Sequence, residues 1–314
     1  MSSPFPLLRL PRLVLSDVFK LLNIEEKFKL SLCSKKISTQ IINARLYSEN
    51  VTIDLNMLYQ RIEVSSENNK DTLNIFNYYD CEASNNPDIH QYRIEERTVP
   101  VFSAGLGITL YWKNLGEGFL SVIRYLLKIF RCKFSISNDY NSDLYGKAIS
   151  ELFDLQVEFK KLVICFNLLK NQHLLWNKMS RNLGLVEDLN LSSIPGPLFR
   201  PVFTSWPQKI SITSSYWFTL ESLLTCTCNT ITLGWSLLEN KDLDKILKNW
   251  KTGGFPNLKC LKIHGESITN NGTMILGMNF RELDGKVIQT DDGSKKATIK
   301  LYLYNIKMSV TPSE

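Results

Sequence analysis

The chain has 314 residues, 44% of them apolar and 22% charged, the balance of a folded globular protein and not of a disordered one. Lys plus Arg is 37 against 31 for Asp plus Glu, a surplus of +6 that is too small over this length to point to a nucleic-acid partner. The length suits one large domain with a small appendage.

The chain opens with an apolar stretch, FPLLRLPRLVLSDVFKLL at 5–22. A secretory signal needs an unbroken apolar run, and Arg9, Arg12, Asp17 and Lys20 interrupt this one. Leu10-Pro11 is followed by Val14, Leu15, Val18, Phe19 and Leu22 in i, i+4, i+8 steps, which predicts a helix. Pro11 suits its first turn, where the missing N–H costs little. A second helical pattern, IEEKFKLSLCSKKI, carries Ile24, Phe28, Leu30, Leu32, Cys33 and Ile37. Its early acids and late lysines complement the helix dipole. About forty residues thus form two or three short helices with more apolar surface than so small a unit can bury alone. They must lean on the rest of the chain or on another protein.

These residues resemble an F-box, the helical module that docks onto the adaptor subunit of cullin-based ubiquitin ligases. The matching positions are Leu10-Pro11, Val14, Val18-Phe19, Leu22, Ile24 and Leu32-Cys33, and the form is similar to F-boxes of a large nematode family. A Trp often found shortly after the Cys is replaced here by Ile37 and Ser38. The resemblance implies an adaptor-binding face of Leu10, Pro11, Val14, Val18, Phe19, Leu22, Ile24, Leu30 and Cys33.

Further along, VTIDLN (51–56) alternates and predicts a strand. The Asn-rich segments 65–80 and 81–90 predict loop. TVPVFS (98–103) and GITLYW (107–112) predict strands. From there short apolar triplets recur at 134–136, 162–164, 189–191, 210–212, 231–233 and 261–263. Helical patterns lie between several of them, as in SDLYGKAISELF, NQHLLWNKMSRNL and NKDLDKILKNW. A strand plus helix roughly every twenty to thirty residues predicts a leucine-rich-repeat-like stack; an ordinary α/β layered domain is the alternative. Asp292-Gly293, between two alternating segments, predicts a C-terminal β-hairpin that would cap the last repeat.

A second resemblance rests on NKDLDKILKNWKTGGFPNLKCLKIHG (240–265) and DDGSKKATIKLYL (291–303), which look like the type 2 F-box-associated domain. The matching positions are Leu243, Leu247, Trp250, Gly253, Pro256, Leu258, Asp292-Gly293 and Ala297-Thr298-Ile299. The expected organisation is therefore an F-box at 1–46 and an F-box-associated, repeat-like substrate-binding domain at 47–314.

Nothing in the sequence announces catalysis. His90, His173 and His264 stand in no nucleophile or metal motif. Cys226-Thr-Cys228 has no second pair at zinc spacing, and the glycines at 105, 107, 116 and 118 form no phosphate-binding loop. Seven scattered cysteines suit reduced thiols in a reducing compartment, which makes the sequons at Asn50, Asn190 and Asn271 chance matches. Arg124, Lys128 and Arg131 make a basic amphipathic helix, expected to be a repeat-unit helix with a solvated face. The implied function is a non-enzymatic substrate-recognition subunit without cofactor or metal. Its partners would be a Skp-family adaptor, a cullin through it, and a target protein, with no nucleic acid and no membrane, in the cytoplasm or nucleus. A binding scaffold unrelated to ubiquitin, its N-terminal helices capping the repeat domain, is the alternative. An enzyme with a site assembled from distant residues is a third.

Overall fold

In the computed structural model, residues 9–43, 51–66, 71–82, 87–105, 107–130, 132–136, 143–165, 172–192 and 200–313 are described. The expected boundary at 46/47, the sequon at Asn50, the residues 5–8 and Arg131 lie outside them. The chain divides into two compact units between residues 138 and 139.

The first unit begins with three helices, α1 (Arg12–Leu21), α2 (Ile24–Cys33) and α3 (Lys35–Asn43). Pro11 starts α1, where Leu15 N–H reaches the Pro11 carbonyl at 2.9 Å. α1 ends where Leu22 turns extended, and Asn23 caps α2: its side chain accepts from Glu26 N–H at 2.8 Å while Glu26 accepts from Asn23 N–H at 2.9 Å. This reciprocal box satisfies two orphan donors of the helix start. A third orphan, Ile24 N–H, donates to the Asp71 carboxylate at 2.6 Å, a bond that helps anchor α2 to a distant part of the unit.

The strands are β1 (Val51–Asn56), β2 (Arg61–Ser66), β3 (Thr72–Tyr79), β4 (His90–Ile94), β5 (Arg97–Ala104), β6 (Gly107–Trp112) and β7 (Lys133–Ile136), with α4 (Leu115–Ile129) before β7. They pair in the order β7-β1-β2-β3-β6-β5-β4, parallel at β7–β1 and β3–β6 and antiparallel elsewhere. Ile62, Val64, Leu73, Ile75, Ile108 and Leu110 are fully buried on one face, against which α2 and α4 pack. Phe28 of α2 meets Tyr125 of α4 edge to face, 5.9 Å between centroids. The Tyr125 hydroxyl donates to Ser31 Oγ at 3.0 Å, and Ser31 to the Phe28 carbonyl at 2.6 Å.

The loop expected over 65–80 is corrected: residues 72–79 form β3, central in the sheet. The asparagines that suggest a loop are accommodated there. Asn77 is buried, yet its amide donates to the Gln60 carbonyl at 2.8 Å and its oxygen accepts from Trp112 Nε1 at 2.9 Å, bonds that offset the cost of burying it.

The second unit has β8 (Phe159–Ile164), β9 (Val186–Leu191), β10 (Lys209–Ile212), β11 (Thr230–Leu233) and β12 (Cys260–His264), all parallel in that order. α5 (Asp143–Asp154) precedes β8, and the connections carry α6 (Gln172–Met179), α7 (Leu220–Leu224) and α8 (Asn240–Lys251). The expected triplets from 162 onward and the expected helical patterns coincide with these elements, whereas the triplet at 134–136 lies in β7 of the first unit. α8 buries Leu243, Ile246, Leu247 and Trp250 and ends at Gly253, whose φ of +93° suits glycine at a helix C-terminus. After β12 come β13 (Val287–Gln289), β14 (Lys295–Tyr302) and β15 (Asn305–Pro312). β13 and β14 pair antiparallel across a turn holding Gly293 at φ +73°, β14 pairs with β15, and β15 lies antiparallel along β12. The long connection between β9 and β10 holds an aromatic cluster: Phe203 stacks on Trp206 at 4.4 Å and meets Trp176 edge to face at 5.1 Å. The architecture is mixed α/β, with helices at the N-terminal end followed by extensive sheet.

Candidate docking surfaces

α1 is apolar on two sides, and packing separates them. Leu15 and Phe19 are buried at 4% and 1% exposure, whereas Leu13, Val14 and Leu21 are 81%, 45% and 87% exposed. Leu10 and Val18 are half-buried and Pro11 is exposed. With a helical turn of about 100° per residue, Leu13, Val14, Val18 and Leu21 of α1 fall on one stripe opposite the core, interrupted by Asp17, and Leu10 lies just ahead of the helix. Leu13 and Leu21 were not among the expected site residues. Their spacing of two turns from one another, on the flank of Val14, is the sequence signal that places them there.

The other expected residues divide. Phe19 and Ile24, the latter 0% exposed, lie in the interior. Leu22, Leu30 and Cys33 instead line a groove of about 640 Å³ closed on its far side by His90, Tyr92 and Phe102. Leu22 and Leu30 are half-buried and Cys33 is exposed. The nine residues thus form an outer stripe, a groove wall and a buried support.

The cations of α4 are engaged locally: Arg124 Nε meets Glu95 at 2.9 Å and Lys128 Nζ meets it at 3.0 Å. Partial burial pushes the Glu95 carboxyl up, but hydrogen bonds from Lys128 and Arg124 and their charges outweigh it and hold the carboxyl below its ordinary value. The helix packs on β3, β4 and β6 of the first unit, so it belongs to the mixed sheet there and not to the expected repeat.

In the second unit, one sheet face is buried through Leu189, Ile210, Ile231, Leu261 and their neighbours. The opposite face presents Asn190, Ser211, Thr232 and Lys262 in register. At the C-terminal ends of the strands Trp235 is 57% exposed and meets the His264 ring edge to face at 5.1 Å, while His264 Nδ1 lies 3.0 Å from Asn305 Oδ1. A second groove of about 640 Å³, at the strand starts, is lined by Trp206, Pro207, Pro256, Lys259 and Lys295 among others.

His90 lies on β4, His173 on α6 and His264 on β12. Among the described residues no group of His, Cys, Asp or Glu could hold a metal ion, and no helix is long and apolar enough to cross a membrane. Cys226 and Cys228 are buried, and their mutual hydrogen bond and burial push the Cys228 thiol above its ordinary value.

Residues 7–49 match the family model described as F-box domain, and residues 199–263 match the one described as F-box associated. The first contains α1–α3; the second contains β10, β11, α7, α8 and β12 up to residue 263. The chain is also similar to "E3 ubiquitin-protein ligase hecw-1" of Caenorhabditis elegans, 24% identical over 315 residues that take in 90% of this chain and 24% of that protein. The chain thus spans about a quarter of the length of the curated relative it matches. No solved structure matches. By its two family matches the chain carries an F-box ahead of an F-box-associated segment, the pair of modules its sequence resembles.

Proposed function

We propose that the chain is the substrate-recognition subunit of a cullin-based ubiquitin ligase. The observation that carries this reading is the coincidence of the F-box match at 7–49 with a helix that buries Leu15 and Phe19 yet turns Leu13, Val14 and Leu21 to solvent. Such a face suits helix-in-groove docking, in which a few aliphatic anchors dominate affinity. The Skp-family adaptor would cover Leu10, Pro11, Leu13, Val14, Val18 and Leu21. Leu22, Leu30 and Cys33 extend the contact along the groove, and Phe19 and Ile24 support it from beneath. A cullin follows through the adaptor. The ubiquitin setting is also supported by the name of the relative in Caenorhabditis elegans.

In this reading residues 1–46 dock and residues 47–314 hold the target, the parallel strands serving as a leucine-rich-repeat-like stack capped by β13–β15. The chain performs no chemistry of its own and needs no cofactor. It raises the effective concentration of the target beside the transferring subunits, inside the cell.

The test is co-purification of the full chain with a Skp-family adaptor, wild type against Leu13→Ser/Leu21→Ser. Capture is expected to be lost in the variant with the thermal transition unchanged, because both side chains are solvent-exposed. A folded wild type that captures no adaptor overturns the proposal. The packing of α2 against β2, β3 and β4 would then favour the second reading, a scaffold unrelated to ubiquitin whose N-terminal helices form a cap.

A further inference from the structure

The last strands of the second unit carry Lys262, Lys295, Lys296, Lys300 and Lys307 and neither Asp nor Glu. Their register sets three of these side by side: Lys262 stands opposite Lys307, and Lys307 opposite Lys300. All three project from the solvent face, because the alternating residues Leu261, Ile263, Ile299, Ile306 and Met308 are buried on the other. Directly opposed side chains on neighbouring strands stand about 5 Å apart at Cβ, where like charges destabilise the sheet. None of the three has a carboxylate partner among the described residues, whereas Lys241 pairs with Glu239 at 2.9 Å and Lys248 with Asp244 at 2.6 Å. An unopposed row of cations is unfavourable to the chain alone and becomes favourable when an anion lies across it.

The same face continues two residues on with His264, Asn305 and Tyr302, again in register. Trp235 stands against His264 and Tyr302 is 56% exposed. Trp235 and Tyr304 hold φ of +49° and +59°, a conformation that bulky side chains seldom adopt and that clusters at ligand clamps. The cationic row is thus bordered by exposed aromatic rings, Trp235 in a strained turn and Tyr302 at the end of β14.

We infer that this face binds an acidic polypeptide segment bearing one apolar anchor residue. Carboxylates lie over Lys262, Lys307 and Lys300, and the anchor packs against Trp235 and Tyr302. The inference names the chemistry of the target-binding surface and rests on the proposed function only for what that segment belongs to.

Fluorescence anisotropy with the full chain tests it, using a labelled peptide of Glu residues ending in Leu as the probe and a Glu-only peptide beside it. Wild type is expected to bind the first peptide, more weakly as salt rises. Lys262→Gln/Lys300→Gln/Lys307→Gln is expected to bind about tenfold more weakly, with a thermal transition unchanged or raised because repulsion is relieved. Trp235→Ala should weaken the Leu-bearing peptide and leave the Glu-only peptide unaffected. Equal binding by the lysine variant overturns the inference, as does a wild type that prefers an oligothymidylate or phosphatidylserine vesicles to the peptide. Adaptor capture by the lysine variant is expected to persist, since none of the three lysines belongs to the first unit, so this reading and the ligase reading fail separately.

Discussion

Truncating Phe28 to Ala probes whether the N-terminal helices are part of the first unit's core. Phe28 is 0% exposed and packs edge to face on Tyr125 of α4, and the Tyr125–Ser31–Phe28 chain of hydrogen bonds runs beside it. Removing a buried Phe costs about 3–5 kcal/mol in transfer and cavity terms, of which about 0.5–1.5 kcal/mol belongs to the ring pair. The loss is shared by every element that unfolds with α2. Since α2 lies against β2, β3 and β4, amides in β2 and β3 should lose protection together with those of α2. Hydrogen exchange read by mass spectrometry measures this: a loss of about 3 kcal/mol speeds exchange about a hundredfold. Amides of β10–β12 should not change, and Leu21→Ser should be silent in both units. If Phe28→Ala accelerates only α1–α3 and leaves β2 and β3 at the wild-type rate, the helices fold as an independent appendage and the reasoning fails.

Two further outcomes follow from the electrostatics. Glu95 has a lowered folded-state pKa because the bonds from Lys128 and Arg124 outweigh its partial burial; its contribution is therefore present above the unfolded pKa and lost as pH falls through the folded one. Below about pH 4.5 the wild type should lose stability more steeply than Glu95→Gln in urea titrations; parallel curves would refute the linkage. Thiol labelling of the native chain should modify the exposed Cys33 and Cys81 first. Cys132, whose thiol burial pushes up to about 12, and the buried Cys226 and Cys228 should react only on unfolding. Rapid labelling of Cys226 or Cys228 in the folded chain would contradict their burial.

The elements of the second unit were legible because their signals are local. Leu243, Ile246, Leu247 and Trp250 repeat at the helical period, and triplets such as Ile231-Thr-Leu233 alternate at the strand period, each within a few residues. β3 was not legible: composition counts Asn74 and Asn77 as loop formers, while Trp112 and Gln60, distant in sequence, supply the partners that let Asn77 be buried. In α1 the apolar stripes at Leu15/Phe19 and Leu13/Leu21 are equally good candidates for the core by periodicity. Contacts with other elements, not the helix itself, decide which is covered.

The sequence by itself determined where helices and strands lie along most of the chain, and it displayed the F-box-like and F-box-associated patterns, since both depend on short-range spacing. The tertiary structure alone decided the exposure of Leu13 and Leu21, the burial of Phe19 and Ile24, and the alignment of Lys262, Lys307 and Lys300. Those features depend on which distant segments pair and in what register, and a shift of one residue in β15 would turn Lys307 to the opposite face.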